Sequence, residues 1–88
     1  MVERSIIVSN TLGIHARPAS LIVKTATKFK SEIILVKDGA SADAKSIMNV
    51  MILAATYNSE VVIKASAEDE KEAADEIAAL FEHKFYEE

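Results

Sequence analysis

Apolar and polar residues follow one another along this chain in patterns that predict four strands and three helices. Strands are expected where apolar positions alternate with polar ones or where β-branched residues run together, at residues 2–8, 32–36, 40–43 and 60–65. Helices are expected where apolar positions recur every three or four residues. The first starts at Pro18 and is closed by Phe29, the second runs from Ser46 to about Leu53, and the third carries an apolar face over residues 73–81.

Three short segments predict turns and a helix start between these elements. Asp38-Gly39 is a strong signal for a two-residue β-hairpin, because both residues tolerate positive φ. Asn58 is expected in the left-handed conformation, in a turn before the last strand. The sequence Ser66-Ala67-Glu68-Asp69 resembles a capping box, which would begin the last helix.

The element order β-α-β-β-α-β-α predicts an α+β fold. Strands that pair mostly antiparallel, with the helices packed on them, form a two-layer open-faced sandwich. We therefore expect a four-stranded antiparallel sheet with three helices on one face. The chain has 88 residues without linkers or repeats, so residues 1–88 are expected to form a single domain.

Composition and charge narrow the classes of function. Half of the residues are apolar, which suits a small core, and the absence of cysteine excludes disulfides and cysteine-based metal sites. The net charge of −4 argues against general nucleic-acid binding, which needs a basic surface. Residues 1–67 hold eight basic and five acidic side chains, a net +3, whereas residues 68–88 hold two basic and nine acidic ones, a net −7. The basic part suits docking of acidic partners, although scattered surface lysines would give the same balance.

No segment predicts export or membrane insertion. Residues 1–6 lack the basic region and the apolar run of a signal peptide, and no apolar run is long enough to span a bilayer. The absence of cysteine is compatible with a reducing compartment. We therefore expect a cytoplasmic protein.

Residues 13–19 carry the candidate chemistry. Pro18 favours the first turn of a helix, so His15 is expected at or just before a helix N-terminus. Unpaired N–H groups and the positive end of the helix dipole make such an end an anion site. Arg17 adds a charged fork that suits phosphate oxygens. These features point to a phosphohistidine, while an exposed histidine near a helix cap is the simpler interpretation of the same residues.

The backbone near Pro18 limits which groups can hold a phosphate. Proline has no N–H, so the donors are expected to be the amides of Ala16, Arg17 or Ala19. Gly13 and Gly39 are the only glycines, so the chain has no glycine-rich nucleotide loop. No acidic pair is obviously arranged for magnesium, and we expect neither a cofactor nor a metal.

Two motifs resemble those of one family. TLGIHARPAS (residues 11–20) resembles the active-site signature of the HPr family, the histidine-containing phosphocarriers of the phosphoenolpyruvate-dependent sugar phosphotransferase system. AKSIMNVM (residues 44–51) resembles the family's second signature, around its regulatory serine. The motifs have the family's order and spacing, and the resemblance covers essentially the whole chain. It implies the same open-faced sandwich that the residue pattern predicts.

The resemblance implies roles for the residues of the first motif. His15 would accept a phosphoryl group on Nδ1 from phosphorylated enzyme I and pass it to a histidine of an enzyme IIA domain. Arg17 would stabilise the phosphoryl charge in both steps, Pro18 would start the helix, and the Ala16 and Arg17 amides would cradle the phosphate. The family also suggests a cytoplasmic monomer that acts as a carrier and is not a stand-alone enzyme.

Ser46 has two interpretations. On physical grounds it is an N-cap, which is worth about 1 kcal/mol. The resemblance adds phosphorylation by an ATP-dependent serine kinase/phosphorylase found in many bacteria, with a transcription regulator as a further partner of the phosphorylated form. A helix N-terminus accommodates a phosphate, so the fold is expected to survive the modification.

Partner docking is expected around these two motifs. Ile47, Met48 and Met51 cannot all face the core of so short a helix, and methionine suits adaptable surfaces. The expected docking residues are Leu12, Ser20, Lys24, Lys45, Ile47, Met48 and Met51.

Other functions stay open at this point. A nitrogen-related paralogue would keep the histidine motif but serve regulatory targets; residues 78–88 faintly favour it, whereas the Ser46 motif favours the sugar branch. An acylphosphatase-like hydrolase fits the size and the anion site. An unmodified binding module would use neither His15 nor Ser46 as a phosphorylation site.

Overall fold

The computed structural model describes residues 1–87 and has the predicted order of elements. The strands and helices are β1 (Val2–Ile7), α1 (Ala16–Ala26), β2 (Glu32–Lys37), β3 (Ala40–Asp43), α2 (Ile47–Leu53), β4 (Glu60–Ser66) and α3 (Glu70–Glu82). A short 3-10 turn at Lys84–Tyr86 follows α3, and the sequence did not predict it. Within residues 1–87 the predicted α+β fold, a two-layer sandwich with an antiparallel sheet, is confirmed.

The sheet has one covered face and one open face. Its strand order is β1-β4-β2-β3, and each neighbouring pair is antiparallel. Alternate residues of each strand, such as Ile6, Ile33 and Ile63, point into the core and are buried. Ile7, on the opposite face, is 51% exposed. The helix α3 packs on β1 and β4, α2 packs on β3 and β2, and α1 packs beside both helices.

The predicted turns have the expected backbone geometry. Asp38 and Gly39 have φ of 50° and 80°, so the β2–β3 hairpin closes with two left-handed residues. Asn58 has φ of 70° in the turn before β4. Ser46 is the N-cap of α2, and its Oγ accepts a hydrogen bond from the Asn49 amide at 3.3 Å.

The start of α3 differs from the predicted capping box. Asp69 precedes the helix but makes no side-chain cap hydrogen bond. Its carboxylate instead accepts hydrogen bonds from the Lys30 amide at 2.8 Å and the Ser31 amide at 3.0 Å, and also from the Ser31 hydroxyl. Glu70 accepts from the Ala67 amide at 3.3 Å. The four-residue box is therefore wrong, because the Asp69 side chain ties α3 to the segment that enters β2.

The Asp69 contacts make the stability of the fold depend on pH. The Ser31 hydroxyl and then the Lys30 amide hydrogen-bond the carboxylate and hold the pKa of Asp69 below its ordinary value of 3.8. Because the pKa of Asp69 is lower in the folded than in the unfolded chain, the ionised carboxylate stabilises the fold at pH values above 3.8. This stabilisation is lost as the pH falls through the folded-state pKa. Asp69→Asn is therefore expected to be less stable than the wild type at pH 7, and the difference should shrink in acid. Urea unfolding at several pH values measures it.

The exposed substitution Glu72→Gln serves as the control for this prediction, since it also neutralises an acid at the start of α3. It should change stability much less than Asp69→Asn. A difference between wild type and Asp69→Asn that stayed constant from pH 7 to acid would contradict the assigned role.

Candidate functional site

The loop before α1 is held in place by two hydrogen bonds and by a close approach of two backbones. The Ile14 amide donates to the Ala55 carbonyl at 2.9 Å, and the Asn10 side-chain amide donates to the Gly13 carbonyl at 2.7 Å. Gly13 has φ of +68°. A Cβ at Gly13 would lie 2.6 Å from the Ala55 oxygen, so only glycine fits here without displacement. This loop places His15 as the N-cap of α1.

The two ring nitrogens of His15 have different surroundings. The side chain is 38% exposed, and its Nε2 lies 2.8 Å from Oε2 of Glu87. Within residues 1–87, Nδ1 has no hydrogen-bond partner. The nitrogen that the HPr resemblance implicates is therefore the one left open by the described part of the chain.

The N-terminus of α1 presents two backbone donors near His15. In the described residues, the Ala16 and Arg17 amides have no hydrogen-bond partner, and Pro18 has no N–H. The Ala19 amide donates to the His15 carbonyl at 3.0 Å. Ala19 is therefore wrong as a predicted phosphate donor, because its N–H already forms the first hydrogen bond of the helix. Ala16 and Arg17 remain as the candidate cradle.

Arg17 lies beside this cradle and is bound to the C-terminal segment. Its Nη1 donates to the Phe85 carbonyl at 2.7 Å and is 3.8 Å from Oε2 of Glu87. The side chain is 53% exposed, so much of the guanidinium still faces solvent. A guanidinium has five N–H donors, which leaves several for an incoming phosphoryl group.

The C-terminal segment reaches the site through a sharp change of direction. After α3 ends at Glu82, the residues Lys84, Phe85 and Tyr86 have φ of 53°, 54° and 60°. Phe85 is fully buried and packs edge-on against Phe81, with ring centroids 4.8 Å apart. This reversal returns the chain to His15.

The sequence did not predict that Asn10 and Glu87 belong to the site around His15. Glu87 belongs to an acidic stretch that looks like the solvated face of a helix. Phe85 follows Phe81 by four residues, which fits a continuing helix, so periodicity gives no sign of the reversal. His83, the second histidine, is exposed and stacks on Tyr86, with the ring centroids 5.5 Å apart.

The predicted docking residues divide into two groups. Leu12, Met48, Ile47 and Met51 are 73%, 69%, 45% and 44% exposed, and Ser20 and Lys24 are exposed as well. Lys45 differs, because its Nζ donates to the Phe29 carbonyl at 2.8 Å. The Lys45 ammonium is therefore engaged in a hydrogen bond within the protein itself.

The helix α2 exposes more apolar surface than the sequence predicts. Four of its seven residues are large, apolar and exposed: Ile47, Met48, Met51 and Ile52. Ile52, at 73%, was not among the predicted docking residues. Contiguous exposed apolar side chains on a small protein are typical of an interaction surface.

Two further features of residues 1–87 bear on the site. No group of three or more histidine, cysteine, aspartate or glutamate side chains in this part of the chain could hold a metal ion. None of the helices described is both long enough and apolar enough to cross a membrane.

Comparison with known proteins identifies the family. The family model described as "PTS HPr component phosphorylation site" matches residues 2–83. The chain is 47% identical to phosphocarrier protein HPr of Treponema pallidum over 88 residues, which is all of both chains. The chain belongs to the HPr family. HPr proteins are phosphocarriers of the phosphotransferase system, and the chain is a carrier and not a stand-alone catalyst. The hydrolase interpretation is thereby excluded.

Solved structures of HPr proteins agree with the fold. The crystal structure of HPr-C-His from Thermoanaerobacter tengcongensis has 44% identity and a TM-score of 0.96, covering 100% of this chain and 99% of that one. A crystal structure described as an HPr dimer from the same organism has 45% identity and a TM-score of 0.73, covering 97% and 98%. The sheet and the helix arrangement are therefore those of HPr.

Proposed function

We propose that this member of the HPr family accepts a phosphoryl group on His15 from phosphorylated enzyme I and passes it to enzyme IIA domains in sugar uptake. The observation that carries the proposal is the position of His15 at the N-cap of α1, beside the Ala16 and Arg17 amides, which no group of residues 1–87 binds. The helix dipole and these donors stabilise negative charge at this position by about 0.3–1 kcal/mol each. Arg17 contributes a permanent charge next to it.

The chemistry needs a nitrogen that both attacks and leaves. A neutral imidazole has one lone pair for the attack, and the resulting nitrogen–phosphorus bond is labile enough for a second transfer. The site needs no further catalytic group of its own, since the partner proteins supply the phosphoryl donor in the first transfer and the phosphoryl acceptor in the second. We place the protein in the cytoplasm with these partners.

Intact-mass measurement after incubation with enzyme I and phosphoenolpyruvate tests this function. The expected result is one added phosphoryl group that is lost in acid, as a phosphoramidate is. A subsequent incubation with an enzyme IIA domain should return the protein to its original mass. Absence of any addition would overturn the carrier assignment and favour the unmodified binding module.

The exposed apolar side chains of α2, together with Leu12, are the proposed docking surface for both partners. Docking of acidic partners would be assisted by Lys24, which is exposed, whereas Lys45 is held by the Phe29 carbonyl. We propose that the protein acts as a monomer.

We also propose that phosphorylation of Ser46 regulates transfer, through a serine kinase/phosphorylase and a transcription regulator. Ser46 is the N-cap of α2, directly before the exposed Ile47 and Met48. Its Oγ accepts from both the amide and the side chain of Asn49, at 3.3 Å and 3.1 Å. A charge introduced here would lie at the edge of the docking surface. The Ser46 motif also favours the sugar branch over the nitrogen-related paralogue.

Ser46→Asp is expected to slow phosphorylation of His15 by about tenfold or more, because a like charge facing an acidic partner costs several kcal/mol. Stability should hardly change, since aspartate is as good an N-cap as serine. Initial rates with enzyme I and thermal unfolding measure the two effects.

Ser46→Asn is the matched control for this charge effect, because asparagine caps the helix without adding charge. It should transfer at close to the wild-type rate. Equal and undiminished rates for both variants would count against regulation through charge at Ser46.

A further inference from the structure

The carboxylate of Glu87 is held by three groups of the phosphorylation site. Its Oε1 accepts from the Asn10 side-chain amide at 2.9 Å, and its Oε2 lies 2.8 Å from Nε2 of His15. Arg17 Nη1 is 3.8 Å from the same Oε2. The Glu87 side chain is only 16% exposed, so water competes little for these contacts. A charged group so placed has a defined position relative to the His15 ring.

The contact with Nε2 selects one form of the neutral imidazole. A carboxylate has acceptors only, so Nε2 must carry the hydrogen of this bond. A neutral imidazole has a single N–H, which leaves the lone pair on Nδ1. Nδ1 has no partner within residues 1–87, so no group of these residues occupies the position that an incoming group would take.

We propose that Glu87 is a positioning residue for His15: it fixes the Nε2–H tautomer and the ring orientation, so that Nδ1 is the nucleophile. The inference rests on the proposed phosphocarrier function and goes beyond it by giving the C-terminal segment a part in transfer. Hydrogen bonds to the non-reacting nitrogen of a histidine set its tautomer in other sites as well.

The same carboxylate stabilises the ring during transfer. The Nδ1 lone pair forms the bond to phosphorus, the bond from phosphorus to the donor atom breaks, and that electron pair stays on the donor. The hydrogen remains on Nε2, so the ring acquires positive charge as the new bond forms. The Glu87 carboxylate faces this charge at 2.8 Å from Nε2. In the second transfer the electron pair returns to Nδ1 and the ring becomes neutral again.

The segment that delivers Glu87 is anchored independently of the His15 contact. Left-handed φ at non-glycine residues is unfavourable, and three occur consecutively before Glu87. Burial of Phe85 and the Arg17 hydrogen bond to its carbonyl offset that cost. Asn10 is fully buried and donates to both Glu87 and the Gly13 carbonyl, so the loop, the ring and the C-terminal segment form one network.

The tautomer of His15 tests the proposal without any transfer reaction. The ¹⁵N resonances of its ring are measured in the unphosphorylated full chain, at a pH where the ring is neutral. The wild type is expected to show the pure Nε2–H form. Glu87→Ala should shift both ¹⁵N resonances toward those of an exposed histidine, which is a mixture of the two neutral tautomers. Glu87→Gln retains one acceptor oxygen and should stay nearer to the wild type. Unchanged ring resonances in Glu87→Ala would overturn the proposal.

Transfer kinetics supply the second readout. Glu87→Ala should lower kcat for phosphorylation by enzyme I about tenfold, the effect of one lost charge-assisted hydrogen bond, with little change in KM. Glu76→Ala removes the same charge from an exposed position on α3 and should leave the rate unchanged. Faster transfer by Glu87→Ala would overturn the proposal, since it would show that the carboxylate blocks the site. If the wild type takes up no phosphoryl group, the proposed function fails while the ¹⁵N result still decides the role of Glu87.

Discussion

His15→Ala is expected to take up no phosphoryl group from enzyme I and phosphoenolpyruvate. Among the described groups at the N-terminus of α1, the imidazole is the one that offers a nitrogen lone pair, so alanine leaves no atom beside the Ala16 and Arg17 amides to accept the phosphoryl group. The fold should be retained, because the side chain is 38% exposed and makes no side-chain cap hydrogen bond. Intact mass before and after incubation measures the loss.

Two further variants make this result specific. His83→Ala removes the other histidine, which is exposed and stacks on Tyr86, and should be phosphorylated like the wild type. Arg17→Ala should slow the reaction by one to two orders of magnitude without abolishing it, because a hydrogen bond to a charged group is worth about 1.5–3 kcal/mol. Retained labelling in His15→Ala would place the phosphoryl group elsewhere and sink the assignment.

The fold was predictable because local signals and packing agree. The Asp38-Gly39 turn, the β-branched residues of β2 and the apolar face of α3 each favour the conformation that they adopt. The capping box failed for a tertiary reason. Asp69 is an acceptable cap, but the Lys30 and Ser31 amides bind its carboxylate instead, and no pattern in residues 66–69 reveals that competition.

The site was predictable only where its residues are close in sequence. His15, Arg17 and Pro18 are separated by at most three positions, and the physics of a helix N-terminus joins them. Glu87 is 72 positions from His15 and depends on the left-handed residues after α3. Left-handed φ is common for glycine and rare for lysine, phenylalanine and tyrosine, so nothing in the composition of residues 84–86 predicts the reversal.

Gly13→Ala is expected to destabilise the protein by about 2–3 kcal/mol and to impair phosphorylation of His15. Left-handed φ costs a residue with a Cβ about 1–2 kcal/mol. In addition, the new Cβ would lie 2.6 Å from the Ala55 oxygen, the acceptor for the Ile14 amide. Separating these two backbones weakens a hydrogen bond worth about 1 kcal/mol and moves the loop that positions His15. Urea unfolding and the initial rate with enzyme I measure the two losses.

Gly39→Ala separates the backbone conformation from the close approach. Gly39 has φ of +80°, yet a Cβ there meets nothing within 4 Å. The Gly39→Ala variant should therefore lose only the stability that the left-handed φ costs, about 1 kcal/mol. It should be phosphorylated at the wild-type rate, because the β2–β3 turn is not part of the His15 loop. If the two variants lost equal stability, the contact with Ala55 would not be what requires glycine at position 13. A rate loss confined to Gly13→Ala would instead show that the Ala55 carbonyl, on the segment after α2, sets the position of the phosphorylation site on α1.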